Sequence, residues 1–316
     1  MAEIGRPVLV EVERSGFVES RHRGTAIALG ADGSVVASAG PVDELIFPRS
    51  TVKPFQAIAM LRNGLDLRGE LLALAAASHS GEPFHVAGAE RILSSAGLTA
   101  EALRCPADWP LDVEAERELV RAGGTRSRLH MNCSGKHAAM LLTCVRNGWP
   151  TESYLEPGHP LQRAVRAVIE EHTGETITVA GTDGCGAPLF AITPRGLARA
   201  FHGLTGSPVV EAMRAHPEWT SGTRRDEYRV SRLVPGLLLK CGAEGVDAFC
   251  LPDGRTGVVK IDDGAMRART PVTVALLRAV GVTDPALDEL ATTPLTGGAA
   301  VVGAIRLAAG LDLTGS

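Results

Sequence analysis

The sequence predicts an α/β fold of the α+β kind, with one antiparallel sheet drawn from both ends of the chain and a helical subdomain over one end. Three observations predict it. Strand patterns occupy the first forty or so residues and return only after about residue 240, helical patterns dominate residues 51 to about 170, and Asp-Gly turns divide the strand patterns into hairpins. Val8 to Val12 alternates apolar and polar residues as a half-buried strand does. Gly24 to Gly30 and Ser34 to Ser38 flank Ala31-Asp32-Gly33, a hairpin signal. Helices are expected at Ala57 to Asn63, Leu71 to Ala77, Val86 to Ala96, Glu114 to Ala122, Lys136 to Asn147 and Leu161 to His172. A second hairpin runs from Gly245 to Leu251, turns at Pro252-Asp253-Gly254, and returns from Gly257 to Ile261. Three more helices are expected, at Val272 to Val280, Pro285 to Ala291 and Gly298 to Ala308. No linker or repeat divides the 316 residues. They read as one domain, with a sheet lobe at about 1–49 and 240–316 and a helical lobe at about 50–239.

Composition excludes several classes of function. The chain carries a net charge of −4 with no long run of one sign, which argues against nucleic acid and anionic membrane as partners. Aromatic residues make up only 4%, too few for base-stacking platforms. The longest apolar stretch, Leu71 to Ala77, is far too short to span a bilayer. The first residues lack a signal-peptide pattern, and the six cysteines form no C-x-x-C pair, so a cytoplasmic protein with reduced thiols is expected.

Lysine usage points to chemistry. Of 32 basic residues only four are lysines: Lys53, Lys136, Lys240 and Lys260. A buried amine can lose its proton and act as a base, whereas a guanidinium cannot. In Ser50-Thr51-Val52-Lys53 the i, i+3 spacing puts hydroxyl and amine on one face of a helical turn, the arrangement of a serine nucleophile and its lysine base. Pro54 disfavours α geometry at Lys53, so a tight turn should lead into the helix with Ser50 at its mouth. Free backbone N–H groups there would serve an oxyanion. Burial and a second cation, with Lys260 as the candidate, would lower the Lys53 pKa.

Ser78-His79-Ser80-Gly81 ends an apolar helix in small polar residues, and Ser78 or Ser80 is the candidate for proton relay or substrate binding. Lys260 closes the apolar strand Gly257-Val258-Val259, and a lysine on a central strand needs a partner or a cavity. The order S-x-x-K, helical block, serine loop, strand lysine is that of serine acyl-transfer enzymes. Cys133 at a helix start and Cys185 in the turn Gly181 to Pro188 offer two thiolates for zinc, with His137 the conventional nitrogen ligand and Lys136 an unusual one. Asp183 could accept a substrate ammonium, and Arg49 could grip a carboxylate.

Five segments, Phe47 to Gln56, Ala77 to Pro83, Asn132 to His137, Thr182 to Pro188 and Val259 to Gly264, together resemble the L-asparaginase II family, the Ser-Lys type unrelated to threonine-dependent asparaginases. The resemblance implies a fold like serine β-lactamases and glutaminases, a homodimer, and hydrolysis of L-asparagine to L-aspartate and ammonia. It implies tandem Ser-Lys pairs, Ser50 with Lys53 and Ser78 with Lys260, Ser80 being the rival of Ser78. It also implies a zinc ion (Zn2+) on Cys133, Lys136 and Cys185, and a substrate pocket of Arg49, Ser80, His137, Asp183 and Gly184. Alternatives are glutamine or another acyl group as substrate, a non-catalytic amino-acid-binding homologue, and a zinc- or thiol-dependent hydrolase centred on Cys133.

Overall fold

A computed structural model describes residues 5–311 and 313 of the chain. Among the described residues there are ten strands: β1 (Val8–Arg14), β2 (Phe17–Leu29), β3 (Val35–Ala39), β4 (Ala180–Thr182), β5 (Pro188–Phe190), β6 (Leu238–Gly242), β7 (Val246–Cys250), β8 (Thr256–Ile261), β9 (Thr293–Gly297) and β10 (Ala300–Leu307). The main antiparallel sheet has the order β6-β7-β8-β2-β1-β10-β9, and β3 pairs with the second half of β2. Its strands therefore come from both ends of the described chain, as expected. β4 and β5 form a separate two-stranded ribbon.

Helices α1 (Lys53–Arg62), α2 (Gly69–Ala75), α3 (Pro83–Ser95), α4 (Val113–Arg121), α5 (Ser134–Asn147), α6 (Pro160–Thr173), α7 (Pro194–His202), α8 (Pro208–Ala215), α9 (Pro217–Thr220) and α10 (Asp226–Leu233) lie between β3 and β6. Then α11 (Arg269–Ala279) and α12 (Asp288–Ala291) follow β8. Proline stands at the first turn of α1, α3, α6, α7, α8 and α9, where its missing N–H costs nothing.

The sheet buries both faces. Ile27, Leu238, Ala248, Cys250 and Val258 face the helical block and share a core with α1, α2, α5, α6 and α7. Ala26, Ala28, Leu239, Cys241, Phe249, Val259 and Ile261 face the other way and pack with α10 and α11. This period-2 division explains why strands β6 to β8 read as nearly continuous apolar runs: neither face meets water.

Two expectations are corrected. Gly298 to Ala308 is not a helix. Residues 293–307 form the hairpin β9–β10, and β10 pairs with β1 from Val10↔Leu307 to Arg14↔Gly303. The β-branched Val301, Val302 and Ile305 suit a strand, and β1 offers them an edge to pair with. Gly303 lies so close to β1 that an added methyl would sit 1.9 Å from the Glu13 carbonyl oxygen. Leu238–Gly242, for which no element was expected, is edge strand β6. Its five residues are all buried and so lack the alternation that marks a one-faced strand.

Candidate active site

The site begins at the junction of strand and helix. Arg49–Val52 form a single 3₁₀ turn that runs into α1 at Lys53, the tight entry that Pro54 requires. Arg49 takes a φ of +52°, a left-handed conformation rare for a non-glycine residue and characteristic of functional sites. Ser50 is partly exposed, while Lys53 is 1% exposed. Opposite the turn lies the end of β6. A methyl placed on Gly242 would come 2.9 Å from the Pro48 carbonyl oxygen and 3.3 Å from the Ser50 nitrogen, so the absent side chain keeps the space beside the Ser50 N–H clear.

At the centre is a hydroxyl held between two buried amines. Lys53 Nζ donates to Ser78 Oγ at 3.0 Å, to the Ala77 carbonyl at 2.6 Å and to Cys133 Sγ at 3.0 Å. Lys240 Nζ donates to the same Ser78 Oγ at 2.8 Å and to the Cys241 carbonyl at 2.7 Å. Lys240 is 2% exposed, and burial, with the positive charge of Lys53 next, lowers its pKa to about 7. Near neutral pH this amine can therefore accept or give a proton.

The structure redraws two of the expected pairs. Lys260 does not meet Ser78. Its amine donates to the carbonyls of Glu244 and Ile261, and its side chain lines a cavity of about 360 Å³ with Phe47, Arg49, Leu189 and Glu244. The place expected for Lys260 is taken by Lys240, which is also the second cation beside Lys53. The physical reason is strand order. Lys240 lies on β6, the edge strand packed on the 3₁₀ turn, whereas β8 is two strands further in, roughly 10 Å away. Ser50 and Lys53 also do not bond directly: among the described hydrogen bonds the amine goes to Ala77, Ser78 and Cys133.

Ser80 is separated from Ser78 by its bonding. Its hydroxyl donates to the Ser221 carbonyl at 2.8 Å and is fully buried, so it fastens the 220–222 segment and faces neither lysine. The loop carrying Ser78 is held at several other points. Ser78 N donates to the Thr220 carbonyl at 3.1 Å and His79 N to the Asn132 carbonyl at 3.0 Å. His79 accepts from Gly81 N at Nδ1, which leaves Nε2 to donate to Ser134 Oγ at 2.9 Å. Burial, with His85 next to it, keeps this imidazole neutral.

Cys133 ends the loop before α5, Lys136 and His137 occupy the first turns of α5, and Cys185 comes from the β4–β5 turn. The Cys133 thiol donates to Asn132 Oδ1 at 3.0 Å, and Lys136 Nζ donates to the Cys185 sulfur at 3.1 Å. Cys133, joined by the charge of Lys136, favours the Cys185 thiolate against burial, while Cys185 and burial push the Cys133 pKa up. Burial opposes the charge on Lys136, but the two sulfurs outweigh it and raise its pKa. His137 meets the Tyr154 hydroxyl at 2.7 Å through Nδ1; its buried Nε2 has no hydrogen-bond partner among the described residues, and burial lowers the pKa of the ring. Among the described residues no cluster of three or more His, Cys, Asp and Glu side chains is gathered for a metal, and the set seen here is two thiols and an amine.

Arg49, Asp183 and Gly184 form the rim. Arg49 Nε donates to Asp183 Oδ1 at 2.8 Å, and Arg49 Nη1 lies 3.8 Å from Glu244 Oε1. Asp183 Oδ1 also accepts from Gly184 N at 2.9 Å. In this state the guanidinium is shared between two carboxylates, so the residue expected to grip a substrate carboxylate would have to exchange partners to do so.

A family model for L-asparaginase II matches residues 10–307. The chain belongs to the L-asparaginase II family. Membership supports an amide hydrolase with a small-molecule substrate. No curated protein matches this L-asparaginase II chain. Among solved structures it is similar to a β-lactamase from Mycobacterium bovis, at 16% identity and a TM-score of 0.44, over 82% of this chain and 95% of that one. It is also similar to a simvastatin synthase mutant from Aspergillus terreus, at 11% identity and a TM-score of 0.38, over 84% and 90% of the two chains. Among the described residues of this L-asparaginase II member no helix is long and apolar enough to cross a membrane.

Lys240, one of the four lysines singled out in the sequence but left there without a role, is the residue that the fold adds to the candidate site. Its signal was present in Leu237-Leu238-Leu239-Lys240-Cys241-Gly242, where one lysine interrupts an apolar run that stops at glycine.

Proposed function

We propose that this chain is an L-asparaginase, hydrolysing L-asparagine to L-aspartate and ammonia through a serine ester. The observation that carries the reading is the hydroxyl of Ser78 held between the buried amines of Lys240 and of Lys53, which stands one turn after the partly exposed Ser50, in a member of the L-asparaginase II family.

Ser50 Oγ attacks the side-chain amide carbon, and its proton passes to the Lys53 amine, directly or through Ser78 Oγ and Lys240. The Ser50 N–H, in the space that Gly242 leaves open, steadies the oxyanion. The C–N bond breaks as the departing nitrogen takes a proton back from the lysine pair, and ammonia leaves. Water then gives a proton to the same amines and adds to the ester carbon. The C–Oγ bond breaks, Ser50 regains its proton, and aspartate is released. Two buried amines suit this sequence because one must be neutral to accept a proton while the other remains charged.

Cys133, Cys185 and Lys136 fit a zinc ion. Soft thiolates are preferred zinc donors, and the amine of Lys136 lies against the Cys185 sulfur. A bound zinc would supply a fixed positive charge that orients substrate groups. Asp183 would take the substrate ammonium and Arg49 its carboxylate after exchanging partners. The same family reading makes the protein a cytoplasmic homodimer.

A second reading is favoured by one observation: Ser78, not Ser50, is the hydroxyl bonded to both lysines, which makes it a candidate nucleophile. Ammonia release from L-asparagine and L-glutamine by wild type, Ser50→Ala and Ser78→Ala separates the readings. Release from asparagine that vanishes in Ser50→Ala and falls in Ser78→Ala supports the proposal. Activity kept in Ser50→Ala and lost in Ser78→Ala transfers the nucleophile to Ser78. Preference for glutamine makes the chain a glutaminase. Asparagine binding without turnover by wild type makes it a sensor.

A further inference from the structure

A second group of charges lies behind strand β6, on the face opposite the helical block. Glu227, at the start of α10, is 5% exposed; Asp247 on β7 is 3% exposed and Arg269 on α11 is 6% exposed. Asp247 accepts from Arg269 and, at 2.9 Å, from the Thr273 hydroxyl. Cys241, next to Lys240 in sequence, lies among them. One side chain joins this buried group to the reaction centre. Arg225, the residue before α10, donates through Nη1 to the Ser78 carbonyl at 2.8 Å and through Nη2 to Glu227 Oε1 at 2.5 Å. Burial opposes the charge on Glu227, yet Arg225 and then Arg269 lower its pKa to about 2, so it stays ionised as the brace of Arg225.

Resting on the asparaginase reading of this site, we propose that Arg225, braced by Glu227, is a positioning residue for the Ser78–Lys240 pair. The fork holds Ser78 by its main-chain carbonyl, while the two lysines hold its hydroxyl. Without that bond the Ser78 carbonyl loses its charged donor, and the main chain of Ser78 is held among the described residues by Ser78 N to Thr220. Arg225 also places a fixed charge near an amine that must spend part of its time neutral. The charged and titratable groups facing Lys240 are Lys53 from α1, Arg225 and Glu227 from the start of α10, and Cys241 on its own strand. Lys53 and Arg225 disfavour its proton, while Glu227 and Cys241 favour it. Removing the arginine charge therefore shifts Lys240 towards the ammonium form.

The scarcity of lysine makes the test direct. Protein labelled with ¹³C at lysine Cε has four lysine signals to read, and the Lys240 signal is identified by its loss in Lys240→Arg. Wild type, Arg225→Gln and Arg225→Lys are titrated by NMR, and their melting temperature, kcat and KM for asparagine are measured. In Arg225→Gln the Lys240 titration should rise by about half a unit to one unit and kcat should fall about 10- to 100-fold with KM little changed. Arg225→Lys keeps the charge but loses the fork, so Lys240 should titrate as in wild type while kcat recovers only in part. A Lys240 titration that stays at the wild-type position in folded Arg225→Gln overturns the proposal, as does full kcat in that variant. If Arg225→Gln does not fold, wild-type kcat in Arg225→Lys overturns it, because the fork is then dispensable, and a reduced kcat at wild-type melting temperature supports it. A wild-type enzyme that does not turn over asparagine overturns the asparaginase reading instead, and the Lys240 titration still decides the role of Arg225.

Discussion

Lys240 Nζ lies 2.8 Å from Ser78 Oγ, a contact between residues 162 positions apart in the chain. Lys53 reaches the same oxygen at 3.0 Å, so one hydroxyl bridges an edge strand and the first helix. Replacing Lys240 by methionine should remove the proton path through Ser78 and lower kcat roughly 10²–10⁴-fold. Replacing Lys260, whose amine is bound to two main-chain carbonyls, should lower it less than about 10-fold. Ammonia release by the two variants, side by side, distinguishes the lysines.

The lowered pKa of Lys240 sets a direction for stability against pH. In the unfolded chain this amine titrates near 10.4, and in the fold near 7. Above about 10.4 both states are neutral and the group contributes nothing; between the two values the unfolded state binds more protons, so stability rises with pH. The cost of burying a charge is therefore fully present below about 7 and relieved above it. Denaturation of wild type and Lys240→Met from pH 6 to 10 should show the stability difference closing as pH rises. A difference independent of pH would mean that Lys240 titrates in the fold as it does in water.

Lys53→Arg should retain the fold and lose roughly 10²–10⁴-fold in kcat, because a guanidinium cannot give up its proton at neutral pH. Wild-type turnover in that variant would remove Lys53 from the role of base.

Gly242→Ala would bring a methyl within 3.3 Å of the Ser50 nitrogen and 2.9 Å of the Pro48 carbonyl oxygen. The 3₁₀ turn or β6 must then shift. We expect kcat to drop about 10²-fold, with destabilisation of about 1–3 kcal/mol. Denaturant unfolding together with steady-state kinetics reads both; unchanged kcat in this variant would show that the space beside Ser50 N is not used.

Zinc content can be measured without reference to activity. Purified wild type should carry about one zinc per subunit, and Cys185→Ser should carry little, with a lower melting temperature because a ligand bound only by the folded state stabilises it. Equal metal content in the two proteins would exclude Cys185 as a ligand.

Much of the fold was legible because its signals are local. The hairpin at Asp32-Gly33 closes where the Asp32 side chain accepts from Ser34 N at 2.9 Å, and the helices from α1 to α6 begin and end within a few residues of the positions their patterns predict. No element was expected for α7 to α10 or for the β4–β5 ribbon, and two further segments were misread or missed because their state depends on distant partners. Residues 300–307 contain glycine and alanine at spacings that also suit a helix, and it is the edge of β1, almost 300 residues earlier, that makes them a strand. Residues 238–242 are buried on both faces, so they have no alternation to read.

By itself the sequence determined which residue types this protein keeps for chemistry. Four lysines among 32 basic residues, serines at 50 and 78, and cysteines at 133 and 185 next to glycine and lysine mark the site and the family. Only the tertiary structure decided which of them meet. Lys240 and Lys260 both lie on strands facing the helical block, and nothing near either one says which reaches Ser78. Register puts Lys240 level with Ala248 and Val258, and Lys260 level with Val246 and Gly242, so the two amines are separated by two residues along the strands and two strands across the sheet. Because β6 is the edge that packs on the turn bearing Ser50, its lysine enters the centre and the other stays at the rim.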